Sequence, residues 1–193
     1  MLGLQSTTSS KWAKLANENL LQFLTDHAFA EQKAASGAFS LILTYSEETA
    51  MVQELSDYAI EEMGHFKLVH ELMIKRGMVL GQDTPSAYAK HLKGFFPKTK
   101  DRNDSLINRL LMAAMIEARS CERFDAFIKE TKDEELAQFY KELIRSEAGH
   151  YTLYLKWARH YKSKEVVDKK WEEFAAYEAE YIKNQEKTAL VHG

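Results

Sequence analysis

The sequence predicts an all-α fold: a four-helix bundle with a long crossover between its second and third helices and an additional C-terminal helix. Three observations carry that expectation. Only two prolines, Pro85 and Pro97, occur in 193 residues, and both lie between residues 77 and 104, so the flanking stretches lack the residue that most reliably ends a helix. Apolar residues recur at helical spacing in four long segments and a fifth. The connection between the second and third segments is far longer than adjacent antiparallel helices need.

The first segment runs to about Tyr45, with Leu20, Phe23, Leu24, His27, Glu31, Ala34, Ala38 and Leu41 on one stripe. The second opens near Ser46-Glu47-Glu48-Thr49, where acidic residues suit a helix N-terminus. It carries Leu55, Ala59, Glu62, Val69 and Leu72 before Gly77 stops it. The connection from Met78 to Asn103 holds Gly81, Pro85, Gly94 and Pro97. The third helix is expected to begin at Asp104 or Ser105, with Leu110, Ala113, Ala114, Glu117, Cys121 and Phe124 facing inward. Thr131-Lys132-Asp133-Glu134 matches a capping box and places the next start there. The fourth helix presents Leu136, Phe139, Leu143, Glu147, His150 and Tyr154, and a fifth from about Lys164 to Glu186 carries Trp171, Phe174, Tyr177 and Tyr181. Two hairpins joined by one long crossover is the ferritin-like arrangement.

Composition narrows the function classes. With 45% hydrophobic and 28% charged residues, the chain reads as one globular domain over residues 1–193. Its single cysteine, Cys121, excludes an intramolecular disulfide and a four-thiolate metal site. A polar N-terminus and the absence of any run of roughly 18 apolar residues predict a cytoplasmic chain without a membrane span. A net charge of −3 argues against a generally basic, nucleic-acid-coating surface.

The chemistry lies in six residues. In carboxylate-bridged two-metal bundles, two helices each give one Glu and two others each give Glu-x-x-His. Here Glu62-Met63-Gly64-His65 and Glu147-Ala148-Gly149-His150 are the paired motifs, and Glu31 and Glu117 are the single carboxylates. Three-residue spacing puts each Glu and His on one helical face. One Glu-x-x-His arises by chance roughly once in a chain of this composition, so the arrangement matters more than the motif. Glu31 to Glu62 is 31 residues and Glu117 to Glu147 is 30, which makes two matched hairpins with the ligands at one height. Glu122 lies too close to the Thr131 turn and would miss Glu147 by roughly 10 Å at helical rise, so Glu117 is preferred. Glu61 ranks behind Glu62, as a second-choice ligand or a group that orients His65.

Oxygen-rich ligation with two imidazoles suits iron or manganese, iron above all, with open positions for dioxygen. Asp57, Arg119 and Asp26 have the right chemistry to orient the histidines. His27 reads as a core residue or as a partner of a ligand, and Cys121 as a small buried hydrophobe. Tyr151 and Tyr154 lie near the ligands by register.

Several runs resemble the tRNA 2-methylthio-isopentenyl-adenosine hydroxylase family, MiaE. They are Asp26-His27-Ala28 with Glu31 and Lys33-Ala34-Ala35, Glu61-Glu62-Met63-Gly64-His65-Phe66, Arg76-Gly77, Pro85-Ser86-Ala87-Tyr88-Ala89, Ile116-Glu117-Ala118-Arg119-Ser120-Cys121-Glu122-Arg123-Phe124, Phe139-Tyr140 and Ser146-Glu147-Ala148-Gly149-His150-Tyr151. The resemblance implies a cytoplasmic, dioxygen-dependent di-iron monooxygenase that hydroxylates the isopentenyl group of a modified adenosine beside the tRNA anticodon. By position it assigns Glu31, Glu62, His65, Glu117, Glu147 and His150 to the irons. Ala87 and Gly149 depart from basic residues of that pattern. The chain shows no flavin or nicotinamide fingerprint, so a separate reductase or electron-transfer protein is implied.

For RNA the crossover offers Lys90, His91, Lys93, Lys98, Lys100 and Arg102 around Phe95 and Phe96, charge for phosphates and rings for bases. The same ligand set also serves manganese catalases, iron-storing ferroxidases and rubrerythrin-like peroxidases, the last disfavoured by the missing cysteines. A modified-tRNA binding protein with a vestigial metal site is the non-enzymatic alternative. The sequence leaves the oligomeric state open between a monomer and a small homo-oligomer.

Overall fold

The structure, a computed structural model, describes residues 2–183 and 190–191. Among these it contains seven helices and no strand: α1 Ser10–Glu18, α2 Leu20–Thr44, α3 Thr49–Lys75, α4 Ala87–Phe95, α5 Arg102–Glu130, α6 Glu134–Tyr161 and α7 Lys164–Lys183. The chain forms two compact units, Asn19–Pro85 and Met1–Glu18 with Ser86–Gly193.

The Asn19–Pro85 unit is the α2–α3 hairpin. One stripe of α2 is buried, Phe23, Leu24, His27, Ala28, Glu31, Ala35, Ala38 and Leu41, and it faces Met51, Leu55, Tyr58, Ala59, Glu62, His65, Val69 and Leu72 of α3. Ala35 rather than Ala34 takes the core position after Glu31, because four residues bring the helix closer to a whole turn than three. The first predicted segment breaks at Asn19, which separates α1 from α2. Gly77 ends α3 as expected: at φ +69 it adopts the left-handed conformation, its N–H donates to the Ile74 carbonyl at 2.9 Å, and the Met78 N–H donates to Met73 at 2.9 Å. These two bonds are the Schellman pair that satisfies the last carbonyls of the helix.

In the other unit α5 and α6 form the second hairpin, α1 packs on α5, and α7 packs on α4 and α6. α5 begins earlier than the sequence suggests, because the Asp101 carboxylate accepts from the Asp104 N–H at 2.7 Å and caps it. From Glu117 to Phe124 every residue of α5 is buried, as expected of a helix packed on several sides. At the start of α6 the predicted capping box is not formed. Asp133 is the N-cap, accepting from the Leu136 N–H at 3.1 Å, while the Thr131 hydroxyl accepts from the Asp133 N–H in the turn. Tyr140 rather than Phe139 enters the core of α6, its ring 4.8 Å from Phe124 and 5.0 Å from Phe127.

The crossover is not irregular throughout. Ser86 caps α4 by accepting from the Ala89 N–H at 3.0 Å, and Tyr88 and Leu92 bury its inner face. The predicted end of the last helix at Glu186 lies outside the described residues. No helix among the described residues is long and apolar enough to cross a membrane.

Removing the α6 cap by Asp133→Ala is expected to cost about 1 kcal/mol of unfolding free energy. Thr131→Ala should cost clearly less. Urea unfolding of the two variants checks the order, and a larger loss at Thr131 would restore the capping box.

Candidate metal centre

Each hairpin carries one triad of carboxylate, carboxylate and imidazole. In the α2–α3 hairpin, Glu31, Glu62 and His65 are buried and each offers a ligand atom within 4.8 Å of the other two. His65 Nδ1 lies 4.0 Å from Glu31 Oε2 and 3.9 Å from Glu62 Oε1. Both separations are too long for hydrogen bonds and leave room for a cation among the three atoms. On the other side of the ring, Nε2 lies 3.9 Å from Glu61 Oε1. Glu61 is half exposed and stands where a group that orients His65 should be.

The α5–α6 hairpin repeats the scheme with Glu117, Glu147 and His150, again buried and within 4.8 Å. His150 Nδ1 is 3.8 Å from Glu147 Oε2, matching the His65 to Glu62 separation in the other motif. The Glu-x-x-His spacing thus produces one geometry twice, with Nδ1 turned toward the carboxylate one turn back.

Burial by itself would raise the carboxyl pKa of Glu31. The charge and hydrogen bond of His27, aided by a hydrogen bond from Glu62 and the charge of His65, outweigh burial and hold it below the usual carboxylate range. The His27 ring is fully buried, and its Nε2 lies 2.5 Å from Glu31 Oε1. Cys121 is the small buried residue expected. Burial, and then the charges of Glu147 and Glu117, push its thiol well up, so it stays protonated.

The rejected carboxylate has another occupation. Glu122 accepts from the Thr8 N–H at 2.7 Å, the Thr8 hydroxyl at 2.5 Å and Arg119 at 2.7 Å. Arg119, considered above as a partner for a histidine, instead forms a two-point pair with Glu178, Nε to Oε1 and Nη2 to Oε2 both at 2.8 Å. Its remaining donors reach the Ser6 carbonyl. Tyr88 donates to the same Glu178 at 2.9 Å, and Arg123 lies over the Trp12 ring and donates to the Leu190 and Val191 carbonyls. Register from the Thr131 turn sets Glu122 apart from the ligands, but nothing in the spacing pairs Arg119 with Glu178 or Glu122 with Thr8. Among the remaining expectations, Asp57 is exposed and Asp26 buried. Tyr154 is in the core, and Tyr151 packs edge-on against Trp171 at 5.4 Å.

The predicted RNA-facing residues divide by type. Lys90, Lys93, Lys98, Lys100 and Arg102 are exposed. Phe95 and Phe96 are half-buried and packed on Phe174 at 4.9 and 4.7 Å, and His91 is sandwiched between Tyr177 and Tyr181 at 4.3 and 4.4 Å.

Each triad fits a divalent metal ion: its two carboxylates carry the charge that one such ion neutralises, and the mix of oxygen and nitrogen suits iron or manganese.

A family model described as tRNA-(MS[2]IO[6]A)-hydroxylase (MiaE) matches residues 2–193. The chain is 36% identical to the tRNA 2-(methylsulfanyl)-N(6)-isopentenyladenosine(37) hydroxylase of Pseudomonas putida, over 96% of this chain and 89% of the relative. It is 29% identical to the protein of the same name from Salmonella typhimurium, over 98% and 87% of the two chains. A solved structure, protein 43 with aldehyde deformylating oxygenase activity from Synechococcus, matches with a TM-score of 0.90 at 29% identity, over 98% of this chain and 95% of that one. The fold is therefore ferritin-like and all-α, as the hairpin pattern predicts.

Glu117→Ala should abolish metal loading at the pair, whereas Glu122→Ala should keep it near the wild-type level while loosening the Thr8 segment. Metal content per chain after anaerobic loading checks this, and equal content in the two variants would contradict the assignment of Glu117.

Proposed function

The chain belongs to the MiaE family of tRNA hydroxylases, and from that membership we propose that it hydroxylates the isopentenyl group of 2-methylthio-isopentenyl-adenosine beside the tRNA anticodon. The oxidising centre would be a pair of non-haem irons held by Glu31, Glu62, His65, Glu117, Glu147 and His150, with the whole chain acting as one catalytic domain. The observation that carries this reading is the repeated triad of buried carboxylate, carboxylate and imidazole, one on each hairpin.

When bound, such an iron pair would supply the chemistry to split dioxygen, one oxygen atom entering a C–H bond of the isopentenyl group and the other leaving as water, with two electrons and two protons supplied from outside. The protein's own part is to hold the ions and keep water away. One turn on either side of the ligands stand buried Ala28 and Ala35 on α2, Ala59 and Val69 on α3, Ala114 and Cys121 on α5, and Leu143 and Tyr154 on α6. Six of these eight have no metal-binding atom in the side chain, so the reaction would run in a water-poor setting that suppresses loss of the oxidant to solvent. The electrons would come from a separate reductase, since the sequence carries no cofactor-binding fingerprint.

For the RNA, Lys90, Lys93, Lys98, Lys100 and Arg102 would contact phosphates. The rings of Phe95 and Phe96 are committed to Phe174. Their role in this reading is to seat α4 and the chain after it, so that the basic side chains are presented together. A tRNA substrate would place the protein in the cytoplasm.

Aerobic turnover of the di-ferrous protein with a chemical reductant and tRNA bearing 2-methylthio-isopentenyl-adenosine, read by nucleoside mass spectrometry, tests the proposal. The expected result is a gain of one oxygen on that nucleoside, absent in Glu117→Ala. In a Lys90→Glu, Lys93→Glu double variant, KM for tRNA should rise severalfold with kcat retained. No oxygen gain from a protein shown to hold two irons would overturn the substrate assignment, and peroxide disproportionation or iron uptake would then identify the alternative.

A further inference from the structure

The two hairpins share the Glu-x-x-His scheme but differ one turn before the single carboxylate of each. One turn before Glu31 on α2 stands His27, and one turn before Glu117 on α5 stands Ala113. The histidine is fully buried, with Nε2 2.5 Å from Glu31 Oε1. An oxygen that accepts so short a hydrogen bond has committed lone-pair density to it. The other oxygen, Oε2, is the one 4.0 Å from His65 Nδ1, and so is the better donor to a cation among Glu31, Glu62 and His65. Ala113 has no polar atom, so that position on α5 offers Glu117 nothing equivalent.

We propose that His27 is a positioning residue that clamps Oε1 of Glu31 and confines this carboxylate to metal binding through Oε2, which leaves the α2–α3 position open to an exogenous ligand. The inference rests on the six-ligand reading above. A carboxylate gripped at one oxygen cannot swing to chelate an ion with both, and the coordination place it would fill stays available. The histidine therefore contributes to the site without binding the metal, and its effect is separable from simple packing. Glutamine carries an amide nitrogen at nearly the reach of Nε2 and can donate the same hydrogen bond, whereas leucine fills similar space and donates none.

The test compares wild type, His27→Leu and His27→Gln, each loaded with iron and oxidised, by metal content, thermal melting and an azide titration followed through its charge-transfer absorption. Wild type should hold two ions per chain and bind azide. His27→Leu, still folded and with two ions, should bind azide at least tenfold more weakly as Glu31 closes on the metal, and His27→Gln should stay within about threefold of wild type, in keeping with the size of effects seen when groups that orient metal ligands are removed. Loss of metal from His27→Leu alone, with His27→Gln keeping two ions, would equally support the clamp. Wild-type azide affinity in a metal-loaded His27→Leu would overturn this inference alone, as would a folded His27→Gln as impaired as His27→Leu. A wild-type chain that binds no pair of ions would overturn the six-ligand reading and this inference with it.

Discussion

The constraint on which the rest depends is that Glu31, Glu62, Glu117 and Glu147 are all removed from water. Taking a carboxylate into a protein interior costs several kcal/mol even after relaxation, and a domain of this kind has only about 5–15 kcal/mol of net stability. Four uncompensated charges would exceed it. The carboxylates must be neutralised by protons or by cations, and two histidines within ligand distance favour cations, because imidazole adds a donor without adding negative charge. Helix geometry then does the placing: each Glu-x-x-His sets its two donors one turn apart, and a hairpin brings a third carboxylate alongside.

A second buried charged cluster shows what the ligands are not. Arg119, Arg123, Glu122, Glu178 and the Tyr88 hydroxyl also lie out of solvent, but there two guanidinium groups balance two carboxylates. Glu178 holds Arg119 at two points, Glu122 takes Thr8, and Arg123 takes the carbonyls of Leu190 and Val191. The positive partners of Glu178 raise no demand for a metal, and the Glu178 charge in turn keeps Arg119 firmly protonated although burial opposes it. This cluster ties the segment around Ser6 and Thr8, together with residues 190–191, to α5. On the proposed reading, two chemically similar sets of buried glutamates thus have separate tasks, and the identity of their counter-ions separates them.

Much of this was legible in the sequence. The hairpins, the Gly77 stop and the six candidate ligands follow from period, spacing and residue type, because a carboxylate on an otherwise apolar stripe is a conspicuous exception to burial rules. What was not legible involves partners distant in the chain. Nothing local says that Glu122 will meet Thr8, or that Arg119 will meet Glu178 rather than a histidine. α4 is hard to read for a different reason: nine residues give a weak periodic signal, although Pro85-Ser86 before an apolar repeat is a cue. The cap of α6 is ambiguous in the sequence because Thr131 and Asp133 are both good caps, and only the backbone path of the turn chooses between them. The hydrogen bond from His27 to Glu31 was within reach of i,i+4 reasoning, but a lone histidine on an apolar face is ambiguous until its distance to a carboxylate is known.

The most direct test of the central claim is a count of metal ions with a report on whether they are coupled. The protein would be loaded anaerobically with Fe(II), freed of unbound metal, exposed to oxygen, and examined for iron per chain and by Mössbauer spectroscopy. The account predicts two irons per chain and, after oxidation, an antiferromagnetically coupled diferric spectrum that is lost in Glu117→Ala. One iron per chain, or two with the magnetic behaviour of isolated ferric ions, would contradict it.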